Sequence, residues 1–306
     1  MIKYYFIYPP IYKLLSSNDI TRSFYRFLGN IIGDKLKRKR GLNQYYVDQG
    51  RKIIYLLREY CNIKKGDNLL ELGTGWIHWY STIIRLFHNV EITLFDVWDN
   101  RQLNTLKQFI SQLPDYLTED EIRDFDQSID LIEKISNIKS FDELYKLLSF
   151  KYVIEKSGNL SCFSNSKFDI VFSCAVFEHI DKNILSNYIT DMMRILKPGG
   201  YSVQIIDIGD HYHYLDKRNT HYKEYLRISN KLWELYFDNN IHYINRLQNS
   251  EWLELFKNAG FKLLYKQQLY TDIDSLKINK EYESYTKDDL KCHQLIVVHK
   301  KPFLKI

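Results

Sequence analysis

Two stretches of this chain gather residue types able to do chemistry. The first is Leu69-Leu70-Glu71-Leu72-Gly73-Thr74-Gly75-Trp76, an apolar run that enters a glycine turn behind an acid. Gly73 and Gly75 tolerate positive φ and admit a ligand close to the backbone. If a helix follows, its first N–H groups are unpaired and carry a partial positive charge. A second acid, Asp96, stands 21 positions after Gly75. At the end of a following strand, such a carboxylate accepts both hydroxyls of a ribose. The second stretch is Asp207-Ile208-Gly209-Asp210-His211-Tyr212-His213, with two imidazoles and two carboxylates in seven residues.

The glycine turn discriminates between nucleotide ligands. A dinucleotide loop reads Gly-x-Gly-x-x-Gly, and here the third glycine is replaced by His78. Glu71 would repel a pyrophosphate, whereas it attracts a sulfonium and an ammonium. The loop therefore favours S-adenosylmethionine over NAD. In the second stretch, His211 is the expected general base, oriented by Asp210 or Asp207, with His213 as its alternative. Glu178-His179 adds a carboxylate and an imidazole. Together with His211 or His213 this pair is a partial divalent-metal set, and no metal ligand is assigned from sequence.

The elements that must carry these residues follow from periodicity. Short apolar runs at Asn68–Leu72, Val90–Val97, Tyr152–Ile154, Phe168–Ser173, Tyr201–Ile208, Phe261–Gln267 and Gln294–His299 are expected strands. Helical patterns at Trp76–Phe87, Arg101–Leu113, Asn183–Leu196 and Ser250–Ala259 alternate with them, the last with Ser250 as N-cap. Lys197-Pro198-Gly199-Gly200 reads as the turn before the fifth strand. Strands alternating with helices of this length predict a doubly wound, mainly parallel α/β sheet. Residues 1–60 form an expected helical N-terminal extension and 61–306 the main domain. Within it, a charged helical insertion spans about 113–150 and a helical, aromatic cap about 211–245. Tyr212, Tyr214, Tyr222, Tyr225, Trp233, Tyr236 and His242 are expected to line that cap as a wall suited to a polyhydroxylated ligand.

The motifs in order, LLELGTG (69–75), Asp96, FDIVFSCAVFEHI (168–180), LKPGG (196–200) and Asn258-Ala259-Gly260-Phe261, resemble the class I S-adenosylmethionine-dependent methyltransferases. The resemblance covers roughly residues 65–300. It implies a Rossmann-like seven-stranded sheet whose last strand is antiparallel. It also implies that Glu71, Gly73, Thr74, Gly75 and Trp76 hold the methionine end of the cofactor, and Asp96 the ribose. Val97, Trp98, Asn159 and Leu160 would flank the adenine, and Ser173 and Cys174 would line the methyl-transfer cleft. Ile77 stands where the family often has a third glycine, and neutral Asn159 where it often has an acid. GTGWIHWYSTIIRLF, LFDVWDNRQL, IDIGDHYHYLD and NRLQNSEW further resemble methyltransferases found with bacterial surface-polysaccharide genes. That resemblance implies a sugar, a nucleotide-sugar or another glycan precursor as acceptor, while the motif order and the histidine run after the fifth strand make a hydroxyl oxygen the expected methylated atom.

Composition narrows the remaining classes. The chain has 306 residues, 43 basic and 38 acidic side chains, 45% hydrophobic residues and few Gly or Pro, which excludes disordered and collagen-like proteins. Four cysteines without a Cys-x-x-Cys pair are expected to be reduced thiols in a cytoplasmic protein. No apolar run reaches the roughly 18 residues of a membrane span. The basic run Lys35–Arg40 and the net charge of +5 support an alternative RNA- or tRNA-directed enzyme. A non-catalytic methyltransferase-like binding protein is the third reading.

Overall fold

A computed structural model describes residues 4–124 and 128–303. Three helices, α1 (Tyr4–Leu15), α2 (Asp19–Arg40) and α3 (Gln44–Cys61), lead into β1 (Asn68–Leu72). The chain continues through α4 (Trp79–Phe87), β2 (Glu91–Asp96) and α5 (Leu103–Gln112). The expected insertion holds a 3-10 turn at Leu113–Tyr116, then α6 (Glu119–Asp124), α7 (Ser128–Asn137) and α8 (Phe141–Leu148). Residues 125–127 of that stretch lie outside the described residues. Next come β3 (Phe150–Ile154), β4 (Phe168–Cys174), α9 (Lys182–Ile195) and β5 (Leu196–Asp207). The three-residue α10 (Asn230–Leu232), α11 (Asn249–Asn258), β6 (Lys262–Tyr270), α12 (Lys287–Lys291) and β7 (Cys292–Lys300) complete the chain.

The strands form one seven-stranded sheet in the order β3-β2-β1-β4-β5-β7-β6. β1 lies parallel to β2 on one side and to β4 on the other, and β2 is parallel to β3. β7 is antiparallel to β5: Ile208 N–H donates to His293 O, and Lys301 N–H to Gly200 O. The sheet order reverses between β1 and β4, where open α/β sheets bind ligands at the carboxyl ends of their strands. Leu69, Leu70, Leu72, Leu94, Val171 and Phe172 are fully buried, as near-continuous apolar parallel strands require.

Two compact units divide the chain. One takes Met1–Phe27, Cys174–Thr190 and Gln204–Val297; the other takes Leu28–Ser173, Asp191–Val203 and Val298–Ile306. Residue 60, the expected end of an N-terminal extension, lies inside α3. The first unit has an aromatic core of Tyr5, Tyr12, Tyr212, Tyr225, Trp233 and Phe237. Its helix α1 runs through Pro9 and Pro10, which remove two helical N–H donors. The carbonyl of Phe6, freed by Pro10, instead accepts from Tyr236 Oη at 2.5 Å.

Several sequence expectations need correction. β5 begins at Leu196, not Tyr201, because Gly199 N–H donates to Lys301 O at 3.0 Å and Gly200 O accepts from Lys301 at 2.8 Å. α11 is capped by Gln248, not Ser250. Gln248 and Glu251 form a reciprocal capping box, while Ser250 Oγ donates to Asp289 Oδ2 at 2.5 Å. Residues 211–245 are a series of 3-10, π and three-residue α turns rather than a helix, held by aromatic packing more than by their own ladder. Tyr212, Tyr225 and Trp233 are buried core rather than wall.

Candidate functional site

The glycine turn is built in three left-handed steps. Gly73 (φ +63°), Gly75 (φ +66°) and His78 (φ +47°) reverse the chain between β1 and α4. Trp76–His78 belong to this turn, so α4 starts three residues later than its periodicity predicts. Asp96, at the end of β2, ties the turn down. Its Oδ2 accepts from Gly75 N–H at 2.9 Å, and its Oδ1 from Val97 N–H at 2.7 Å and Trp98 N–H at 3.3 Å. Three backbone N–H groups thus fix the carboxylate at the mouth of the turn. Val97 and Trp98 are half-buried beside it.

Glu71 is buried beneath the turn. Its Oε2 accepts from Thr74 Oγ1 at 3.0 Å and from Ser81 Oγ in the first turn of α4. Burial pushes its pKa up to about 7, with those two hydroxyls acting in the opposite direction. This acid thus braces the loop. Thr74 Oγ1 also lies 2.8 Å from His78 Nδ1, and His78 Nε2 is 3.0 Å from Tyr145 Oη. Burial, helped by the charge of Arg101, drives His78 down to about 3, so it is a neutral strut. Trp76 carries Lys37 over its ring at 3.7 Å, and burial lowers that amine to about 8.

The adenine-side expectations resolve unevenly. Asn159 is exposed, and its side chain is engaged locally. Nδ2 donates to Ser157 Oγ at 2.5 Å, and Oδ1 accepts from Ser161 Oγ at 2.5 Å. Leu160 is fully buried and its carbonyl accepts from Arg194 at 3.0 Å. Ser173 is buried at the end of β4, and Cys174 is half-buried. Ser81 and Tyr145 were not singled out from sequence, and Lys37 only as part of the basic run Lys35–Arg40. The left-handed turn is the feature that places His78, and its one sequence signal is the position of a missing glycine.

The other unit carries the histidine run, immediately after β5. Asp207 is crowded with donors: Gly209 N–H at 2.7 Å to Oδ1, and Tyr222 Oη at 2.9 Å from both oxygens. Tyr214 Oη lies 2.7 Å from that of Tyr222. A Cβ on Gly209 would stand 2.4 Å from the Tyr222 ring, so only glycine allows this closure. Burial opposes the charge on Asp207, but His211 and these donors hold its pKa below the ordinary carboxylate range. His211 Nε2 is 3.5 Å from Asp207 Oδ2.

Asp210 does not orient His211. It is fully buried, accepts Tyr5 Oη at 2.6 Å and Tyr212 N–H at 2.9 Å, and so fastens α1. Asp207 takes the orienting place. His213, two residues on in a 3-10 turn, faces away, with Nδ1 3.0 Å from Thr220 Oγ1.

Glu178 and His179 complete the cluster. Glu178 is buried, and among the described residues neither of its oxygens has a hydrogen-bond partner. Burial, then the nearby Asp207, raises its pKa well above the usual range. His179 Nδ1 must donate to Tyr243 O at 2.7 Å, because a carbonyl only accepts, which leaves Nε2 as its lone-pair atom. Crowding and the adjacent His211 lower its pKa, although the ring keeps a solvent-facing surface. The His179 and His211 rings stand 4.9 Å apart. Among the described residues, Glu178, His179 and His211 offer ligand atoms within 4.8 Å of one another, a set able to hold a divalent ion.

A family model described as a methyltransferase domain matches residues 44–266. No curated protein matches the chain in sequence. Among solved structures, an S-adenosylmethionine-dependent methyltransferase from Methanosarcina mazei is 14% identical, with TM-score 0.45, over 81% of this chain and 97% of that one. A chain from the Haloferax volcanii complex of the Trm112 activator with a methyltransferase is 16% identical, with TM-score 0.43, over 80% and 86%. The Haemonchus contortus phosphoethanolamine N-methyltransferase 2, bound to S-adenosylmethionine, is 15% identical, with TM-score 0.45, over 83% and 52%.

Proposed function

This chain belongs to the methyltransferase domain family and uses S-adenosylmethionine, and from that premise we propose that it methylates a hydroxyl oxygen of a small polyhydroxylated acceptor, a sugar or glycan precursor. The observation that carries this reading is the environment of His211. Its buried Nε2 stands 3.5 Å from Asp207 Oδ2, and that carboxylate is held in its charged form. An alcohol needs its proton removed as it attacks, and an imidazole backed by a carboxylate does this near neutral pH.

The chemistry balances simply. The acceptor oxygen forms a bond to the methyl carbon while the S–CH3 bond breaks and S-adenosylhomocysteine leaves. The hydroxyl proton passes to the free nitrogen of the His211 ring, whose Nε2 faces Asp207, and that carboxylate balances the resulting imidazolium. On the donor side, Asp96 holds the ribose, Gly73, Thr74, Gly75 and Trp76 line the methionine end, and Val97 and Trp98 lie beside the adenine. Glu71 braces this loop from below. By the family resemblance, Ser173 and Cys174 would line the methyl-transfer cleft and Asn159 and Leu160 would flank the adenine.

The test is turnover with labelled methyl donor across a panel of sugars and nucleotide-sugars. His211→Ala should lower kcat about 100-fold or more, with S-adenosylmethionine affinity unchanged. Full turnover by this variant would remove His211 as the base. The unpartnered oxygens of Glu178 favour one second reading, in which Glu178, His179 and His211 bind a divalent ion that acidifies the hydroxyl. A Co2+ absorption band lost in Glu178→Gln, together with turnover lost on chelation, would select that reading.

A further inference from the structure

Helix α2 packs the wrong way round for an ordinary surface helix. Its polar side faces the protein. Gln102 Nε2 donates to Asn30 O at 3.0 Å and to Asn30 Oδ1 at 2.5 Å. Thr105 Oγ1 donates to Asp34 Oδ1 at 2.7 Å, and Lys37 Nζ donates to Gln102 Oε1 at 3.1 Å while lying over Trp76. Gly33 abuts the Trp76 ring, where a Cβ would come within 3.1 Å. Asn30, Gly33 and Lys37 share one face by helical spacing.

The opposite side is apolar and open. Ile20 (82% exposed), Phe24 (60%), Phe27 (63%) and Ile31 (55%) follow i, i+4, i+7 and i+11 spacing, flanked by Leu28 and Ile32. None of the helix's 22 residues is fully buried. A row of large apolar side chains on a monomer surface marks an interaction site. The same stripe continues, by the same spacing, into Lys35 and Arg38, with Lys39 beside them, and all three are exposed. It carries no acid from Ile20 to Lys39; Asp34 points to Thr105 and Arg38 from its edge.

We propose that this face of α2 lies on an anionic lipid surface, with Phe24, Phe27 and Ile31 in the acyl boundary and Lys35 and Lys39 at the headgroups. Apolar aromatic residues next to cations are the composition of helices that lie in a bilayer interface. A second copy of the chain is a poorer occupant. Parallel pairing opposes the two basic ends, and antiparallel pairing presses them onto Ile20 and Phe24. Neither supplies an acid, whereas a headgroup layer supplies acids beside hydrocarbon. No described helix is long and apolar enough to cross a membrane, so the contact is one of lying on the surface. This inference does not depend on which acceptor is methylated.

Flotation with vesicles of phosphatidylcholine, with and without phosphatidylglycerol, tests it on the full chain. The protein should float with the anionic vesicles, less with neutral ones, and less at high salt. The combined Phe24→Gln, Phe27→Gln and Ile31→Gln variant should bind at least about tenfold more weakly, because the apolar term scales with buried area. Lys35→Glu with Lys39→Glu should weaken binding to anionic vesicles only. Both variants should keep their S-adenosylmethionine affinity, showing that the fold is intact. Absence of binding to either vesicle at low salt would overturn the proposal. So would a dimer, seen by light scattering, that the glutamine variant dissolves.

Discussion

Replacing Asp96 by Asn probes both jobs assigned to one carboxylate. In the structure its two oxygens face donors on opposite sides, Gly75 N–H at 2.9 Å and Val97 N–H at 2.7 Å. An amide has one oxygen and one NH2. Whichever way it turns, the NH2 meets a backbone N–H, and that donor loses its partner. Leaving a donor unmatched costs about 1–3 kcal/mol, and this half-buried place calls for the lower part of that range. Weakened ribose hydrogen bonds add about 1 kcal/mol or more. The ribose contribution alone, about 1–2 kcal/mol, enters Kd as roughly 5- to 30-fold, while the unmatched donor, present with or without ligand, enters Tm. The assay is calorimetric titration of S-adenosylmethionine and S-adenosylhomocysteine into both proteins, with Tm measured in the same buffer. Both ligands should weaken together, because the ribose is common to them, while Tm falls by only a few degrees. An unchanged Kd with an unchanged Tm would mean that Asp96 neither holds the ribose nor shapes the loop.

Further outcomes follow from the other buried charges. Asp210 is raised by burial to about 6 in the fold, against an ordinary 3.8, so its contribution to stability is present below about pH 4 and lost as pH rises through 6. Two pH units correspond to about 2–3 kcal/mol. Asp210→Asn, whose amide can still accept from Tyr212 and donate to Tyr5 Oη, should flatten the Tm-against-pH curve between pH 4 and 6; an unchanged slope would exclude this group as its source. Lys223 is fully buried, pushed down to about 7, and donates to Ile208 O, Gln248 Oε1 and Cys292 O at 3.0–3.2 Å. Lys223→Met strands those three acceptors and should cost about 3 kcal/mol or more, a Tm loss of at least about 6 °C by thermal unfolding. A loss under about 2 °C would show that water replaces the amine.

The local parts of the cofactor half were legible in the sequence. β1 has the expected bounds, and the turn after it, the following helix and the strand ending in Asp96 follow from properties of neighbouring residues. Apolar runs set strands, glycines set positive φ, and the acid's distance along the chain sets its strand end. The same locality explains the misplaced boundaries. Gly199 and Gly200 look like a turn until Lys301, about 100 residues later, pairs with them as a strand.

The histidine cluster shows the opposite case. Sequence supplied its members, and the tertiary structure decided their partners. Asp210 is next to His211 in the chain, yet its carboxylate belongs to Tyr5, 205 residues away, because a buried acid takes the donor that packing brings to it. Asp207, four residues before His211, becomes its neighbour instead. The tautomer of His179 set by Tyr243 and the packing of Tyr212 against Tyr5 depend on contacts across 60 or more residues. On α2 the spacing of Phe24, Phe27 and Ile31 defines an apolar stripe, and only the packed structure reveals that it faces outward, since periodicity identifies a face and not what covers it.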